Sequence, residues 1–132
     1  MNSNALKTVL YVDDEPDIRE VVELSLGLAG DLSVHTCDSG EEALELLPQI
    51  VPDLILLDVM MPGLDGPGTL AKLRELPGFA QTPVVFMTAK AMPQEVERFK
   101  ALGAVAVIAK PFDPMQLANQ LLGIWRGVSD AG

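Results

Sequence analysis

At four places along this chain an apolar run ends on a reactive polar side chain. "TVLYV" runs into Asp13, Asp14 and Glu15, "LILL" into Asp58, "AVAVIA" into Lys110, and "TPVVFMT" closes on Thr88. A buried strand has no use for a charge at its tip. If the four runs are strands of one parallel sheet, their ends share one rim and bring the carboxylates of Asp13, Asp14 and Asp58, a hydroxyl and an ammonium together. Carboxylates that close repel one another and need a cation or raised pKa values. Hard oxygen ligands in incomplete number suit Mg²⁺, which keeps several waters and takes phosphate oxygens from a substrate. Asp58, at the centre, could act as a carboxylate nucleophile and form an aspartyl phosphate. The metal, the point charge of Lys110 and the hydroxyl of Thr88 would then neutralise the phosphoryl group. The N-terminus of the helix that follows Asp14 would add a favourable dipole.

The elements that must position these residues alternate in period. Thr8 to Val12 is a short β-branched strand, and from Pro16 onward Ile18, Val21, Val22, Ser25, Leu28 and Ala29 recur at helical spacing. Asp14 is placed to cap that helix, with Pro16 in its first turn. Leu32 to Cys37 alternates as a strand. Ser39 then caps a helix through Leu47, with Glu42 set for a capping box. Leu54 to Leu57 is a third strand, followed by a helix from about Pro67 to Leu76. "TPVVFMT" is the fourth strand, and a helix from about Pro93 carries Val96, Phe99 and Leu102 to a stop at Gly103. Ala104 to Ala109 is the fifth strand, and the last helix runs from Asp113 to about Arg126. All prolines are read at element boundaries or in first turns.

Five strands alternating with five helices predict an α/β, doubly wound (βα)5 flavodoxin-like sandwich with a parallel sheet in the order 2-1-3-4-5. Ligands in such sheets bind beyond the carboxyl ends of the strands, where the order reverses between strands one and three. The 132 residues fit one domain with a core at about 7–126, loose ends at 1–6, and a tail or linker start at 127–132.

Composition narrows the function classes. Nineteen Asp and Glu against nine Lys and Arg give a net charge of −10, a field that repels a phosphate backbone and argues against direct nucleic-acid binding. No apolar run approaches the roughly 20 residues of a membrane span, and the N-terminus lacks the pattern of a signal peptide. The single Cys37 excludes an internal disulfide and suits a reducing cytosol, so a cytoplasmic protein is expected.

With Asp13-Asp14, "LLDVMMPGLDG", "MTAKA" and "AKPF" in that order and at fitting separations, the chain resembles a response-regulator receiver domain from about Lys7 to Trp125. The resemblance implies Asp58 as phosphoacceptor, with Asp14, Asp58 and the Met60 carbonyl as Mg²⁺ ligands and Asp13 acting through water. It implies Thr88 as the switch hydroxyl, Lys110 as the phosphoryl and carboxylate contact, and a cis Lys110–Pro111 bond. The phosphoryl donor would be a phosphohistidine on a sensor histidine kinase or a histidine phosphotransfer protein. The output would be a downstream protein target or an output domain. One departure is visible: receivers usually carry Tyr or Phe three residues before the Lys-Pro pair, and here Val107 stands there. That leaves open how Thr88 couples to the surface of the fourth helix, fifth strand and fifth helix.

Each residue also has a plainer reading. Alone, Asp58 would be a helix cap or a solvated charge, Asp13 and Asp14 caps, and Thr88 a common strand former. Their shared rim is what overrides this. Glu15 reads as a solvated neighbour. Met60 and Lys90 sit where the family tunes dephosphorylation, and equally read as packing and as a loop charge. Trp125, Leu121 and Leu122 read as core, Cys37 as a small buried hydrophobe, and His35 lies mid-strand away from the rim. Two other functions are weighed. A phosphatase with an aspartyl-phosphate intermediate wants a second carboxylate two residues after the nucleophile on strand one; here Asp13 is followed by Glu15, Asp14 by Pro16 and Asp58 by Met60, a pattern read as not fitting. A flavin carrier wants a Ser/Thr/Gly-rich phosphate loop, and "DDEPD" would repel that phosphate. The receiver reading stands: a signalling switch, rather than an enzyme acting on a metabolite.

Overall fold

Apolar runs build the strands, and amphipathic segments, three of them with a proline in the first turn, build the helices. The computed structural model describes residues 5–131. In chain order the elements are β1 (Thr8–Val12), α1 (Pro16–Gly27), β2 (Ser33–Cys37), α2 (Gly40–Ile50) and β3 (Leu54–Asp58). They continue with α3 (Gly66–Leu73), β4 (Val84–Thr88), α4 (Pro93–Ala101), β5 (Ala106–Ala109) and α5 (Leu117–Ala131). The strands form one parallel sheet in the order β2-β1-β3-β4-β5. This is the predicted doubly wound arrangement.

Alternation along the strands divides the core in two. Leu10, Val12, Ile55, Leu57 and Phe86 pack with residues of α2, α3 and α4, among them Leu47, Leu70 and Phe99. Val9, Tyr11, Leu54, Leu56 and Met87 pack with residues of α1 and α5, among them Val22, Leu26 and Leu121. The central strands β3 and β4 are buried along their whole lengths, as expected when both faces are covered.

Several boundaries differ from expectation. Asp14 does not cap α1. Glu15 stands at that position with no side-chain cap, and the Asp13 carboxylate instead accepts the Glu15 N–H at 2.9 Å. α2 continues past Leu47 to Ile50 and carries Pro48 inside it. A proline is tolerated there because the final turn sacrifices a single backbone bond, and Val51 then closes the helix in the left-handed region by donating its N–H to the Leu47 carbonyl. Ser39 accepts the Glu42 N–H at 3.0 Å as expected, but Glu42 reaches back to the N–H of Asp38.

α5 starts at Leu117, four residues later than Asp113, because Asp113 folds its own turn. Its carboxylate accepts the Met115 N–H and its carbonyl accepts the Gln116 N–H, both at 2.9 Å. α5 also runs through to Ala131, so 127–131 is helix where a loose tail was expected. Half-buried Trp125 and Val128 continue the spacing of buried Leu121, which carries the helix onward. Leu6, expected in a loose end, is buried in the α1/α5 half of the core. The expected loose residues 1–4 and 132 lie outside the described residues.

Candidate functional site

β1, β3 and β5 end on the same edge of the sheet, and each delivers one charge to it. Asp13 follows β1 and is fully buried, Asp58 ends β3 and is 3% exposed, and Lys110 follows β5 and is half-buried. The Lys110 Nζ lies 3.1 Å from Oδ2 of Asp13 and 3.1 Å from Oδ1 of Asp58, with the exposed Glu15 carboxylate 3.8 Å away. Carboxylate oxygens of Asp13, Asp14 and Asp58 lie within 4.8 Å of one another. Residues nearly a hundred positions apart in sequence therefore form one cluster.

The chain leaves the rim after Asp58 and returns to it at Gly66, whose N–H donates to the Val59 carbonyl at 3.0 Å. A Cβ on Gly66 would lie 2.6 Å from the Asp58 carbonyl oxygen and 2.8 Å from the Val59 Cα, so α3 can start this close only because residue 66 has no side chain. Asp65 caps that helix by accepting the Gly68 N–H at 2.8 Å. Met60, in the intervening loop, is 71% exposed, so its side chain does not act as core packing.

Thr88 closes β4 and is buried. Its hydroxyl accepts the Lys90 N–H at 3.0 Å, and its carbonyl accepts the Lys110 N–H at 2.8 Å. Strand alternation places Thr88 on the face of Val84 and Phe86, and Asp58 on the face of Leu54 and Leu56. Main-chain bonding thus ties Thr88 to Lys110. The Lys110–Pro111 bond is cis. Val107 is half-buried and packs on the same side of the sheet as Phe86. His35 lies exposed on the edge strand β2, and Cys37 is buried with a free thiol.

The electrostatics favour a cation. Burial, reinforced by the neighbouring charge of Asp13, pushes Asp58 up to about 6 even though Lys110 opposes the shift. Burial alone would lower Lys110, but the hydrogen bonds and charges of Asp13 and Asp58 outweigh it and hold the ammonium firmly protonated. Three carboxylates facing one ammonium leave two uncompensated negative charges, which is the charge of a divalent cation. The all-oxygen donor set, incomplete for full coordination, fits Mg²⁺.

Three participants were not singled out from sequence. Tyr11 is fully buried, and its hydroxyl donates to Oδ2 of Asp13. Burial, and then the Asp13 carboxylate, push its pKa upward, so the phenol stays a donor. Arg19 donates to the Asp13 carbonyl at 2.8 Å, which anchors α1 to the end of β1. Gly66 is the third. For Tyr11 a signal was present: it lies two residues before Asp13, hence on the same strand face, and is the one hydroxyl among the apolar residues 9–12.

The model for the response regulator receiver domain matches residues 9–122. This chain belongs to the receiver family. Among curated proteins the receiver is 40% identical to "Response regulator Rre1" of Synechocystis sp. over 128 residues, which cover 95% of this chain and 55% of that protein. It is 37% identical over 122 residues to "Signal transduction histidine-protein kinase BarA" of Escherichia coli, covering 91% of this chain and 13% of the kinase. The receiver spans about half the length of the first regulators it matches. Among solved structures, chemotaxis protein CheY4 of Vibrio cholerae superposes with a TM-score of 0.83 at 33% identity, over 91% of this chain and 99% of that one. The signal receiver domain of a histidine kinase from Syntrophus aciditrophicus gives 0.79 at 31% identity, over 92% of each chain. Receiver domains of response regulators take part in two-component signalling with histidine kinases. Phosphorylation and Mg²⁺ binding at an acidic pocket are characteristic of the family, and among the described residues Asp13, Asp14 and Asp58 form an acidic group that could hold a metal ion. No helix among the described residues is long and apolar enough to cross a membrane.

Proposed function

We propose that Asp58 is the phosphoacceptor of this receiver. The observation that carries the reading is the single ammonium of Lys110, held 3.1 Å from both Asp13 and Asp58 at the carboxyl edge of the sheet. A carboxylate oxygen of Asp58 attacks the phosphorus of a phosphohistidine. The P–N bond breaks as the new P–O bond forms, and the imidazole leaves on the partner. Lys110 moves with the charge, from carboxylates that no longer repel to the phosphoryl oxygens that replace them. Asp14, Asp58 and the Met60 carbonyl would hold Mg²⁺, with Asp13 acting through water. When bound there, the cation would supply positive charge toward the phosphoryl oxygens. Thr88 supplies a hydroxyl at the end of β4 and acts as the switch. Its Oγ1 must give up the Lys90 N–H or share it when it turns to the phosphoryl group.

The output is a change in protein–protein contacts, read by a downstream target or an attached output domain. The donor is a sensor histidine kinase or a phosphotransfer protein, and the receiver works in the cytoplasm. It catalyses its own phosphorylation and dephosphorylation and turns over no metabolite. The net charge of −10 supports partners other than nucleic acid.

Treatment with a small-molecule phosphodonor such as phosphoramidate and Mg²⁺, followed by intact mass, tests the assignment. Wild type gains one phosphoryl group and Asp58→Asn gains none; a wild type without a Mg²⁺-dependent adduct overturns the reading. Coupling past Val107 is read separately, from amide spectra with and without beryllofluoride. Shifts that reach α4 and β5 are expected, and shifts confined to the rim mean that the switch is uncoupled.

A further inference from the structure

Tyr11 is the only tyrosine of the chain, it is wholly buried, and the phosphotransfer chemistry does not use it. Its hydroxyl donates to Oδ2 of Asp13 and lies 3.6 Å from the Met87 Sδ. The same Oδ2 accepts from Lys110 at 3.1 Å, while Oδ1 accepts the Glu15 N–H at 2.9 Å. A carboxylate offers about four acceptor directions. Both on Oδ2 are taken and one on Oδ1 is taken, so the remaining direction belongs to Oδ1.

We propose that Tyr11 is a positioning residue of the cation site: its hydroxyl ties Oδ2 of Asp13 into the sheet, so that Oδ1 is the oxygen presented to the cation or to its water. This rests on the reading of Asp13, Asp14 and Asp58 as the Mg²⁺ site. Lys110 cannot do the same work. It is shared between Asp13 and Asp58 and sits on a flexible stem, and it is the group that follows the incoming phosphoryl charge. Tyr11 carries its hydroxyl on a rigid ring in the core between the sheet and α1/α5, so it holds Asp13 whether or not Lys110 stays. Packing does not call for the hydroxyl, since phenylalanine would fill nearly the same volume. Groups that orient a ligating carboxylate in this way typically change metal affinity by about 10- to 100-fold when removed.

The test is Mg²⁺ titration of the unphosphorylated protein by calorimetry for wild type, Tyr11→Phe and Met87→Leu, with far-UV circular dichroism to check the fold. Tyr11→Phe is expected to bind Mg²⁺ about tenfold more weakly, with its circular dichroism unchanged. Met87→Leu, which keeps the packing and loses the sulfur contact, stays within about twofold of wild type. In wild type the near-UV absorption of the sole tyrosine shifts as Mg²⁺ saturates, with the same midpoint as the heat signal. Tyr11→Phe affinity within about twofold of wild type overturns the proposal, and so does a tyrosine spectrum that stays still through saturation. The spectrum decides the matter even if the variant fails to fold. A wild type that binds no Mg²⁺ removes the site assignment along with the proposal, whereas a wild type that binds and a variant that binds equally well removes the Tyr11 role alone.

Discussion

Gly66 sits against the carbonyl of Asp58, so close that a Cβ there would fall 2.6 Å from the oxygen. The start of α3 is thereby packed onto the tip of β3, and the eight residues from Asp58 onward must close within that space. Both neighbours are backbone, which cannot swing aside. Gly66→Ala is expected to destabilise the fold by about 3 kcal/mol and to weaken Mg²⁺ binding, measured by urea unfolding and calorimetry. Gly123, exposed within α5 with nothing near its would-be Cβ, is the counterpart. Gly123→Ala should stabilise by about 0.5–1 kcal/mol.

Asp58 makes stability depend on pH in a predictable direction. Burial and the charge of Asp13 raise it from 3.8 to about 6 in the metal-free fold. Between those values the folded protein keeps a proton that the unfolded chain has released. Stability from this group is therefore full below about pH 4 and is lost as pH rises through 6. Asp58→Asn lacks the loss, so its stability curve meets that of wild type near pH 4 and lies above it at pH 7, by up to about 3 kcal/mol. Urea melts of both proteins in EDTA across this range are the measurement. Parallel curves would mean that Asp58 titrates as an ordinary carboxylate.

Among the described residues, Lys110 is the only ammonium bridging Asp13 and Asp58. Lys110→Ala leaves two buried carboxylates facing each other and should lower metal-free stability at pH 7 by about 3 kcal/mol. Millimolar Mg²⁺ should recover much of that loss, because the cation meets the same charge deficit. Unfolding with and without Mg²⁺ measures this. A loss that Mg²⁺ leaves untouched would point to packing instead of charge.

Asp53 separates structural from functional acids. At the opposite end of the sheet its Oδ2 accepts the N–H groups of Lys7 and Thr8 at 3.0 and 2.9 Å, which fixes the start of β1. Asp53→Ala should cost about 2 kcal/mol of stability, while the yield of phosphorylation from phosphoramidate stays at the wild-type level. A drop in yield for the folded variant would count against a purely structural role.

Reading the chain alone recovered the strands well because the central ones are nearly continuous apolar runs, as burial on both faces demands, while the edge strand β2 alternates. Helix ends were read less well. Whether Asp13 or Asp14 takes the turn at α1, whether Asp113 opens α5 or folds a turn before it, and whether Pro48 ends α2 are settled by single hydrogen bonds. Spacing does not encode those bonds. Asp13, Asp14, Asp58 and Lys110 meet on one rim, since a parallel sheet brings every strand's carboxyl end to the same edge.

The sequence by itself determined the alternation of elements, the sheet order implied by it and the set of polar residues at the strand ends, because these follow from local periodicity and from motifs continuous in the chain. Only the tertiary structure decided how those residues share their charges. It placed Lys110 equally near Asp13 and Asp58, tied the Thr88 hydroxyl to the Lys90 N–H, and brought Tyr11 and Gly66 against the acidic residues. Those relations depend on strand register and on distances of a few ångströms between segments far apart in the chain, and no local pattern carries that information.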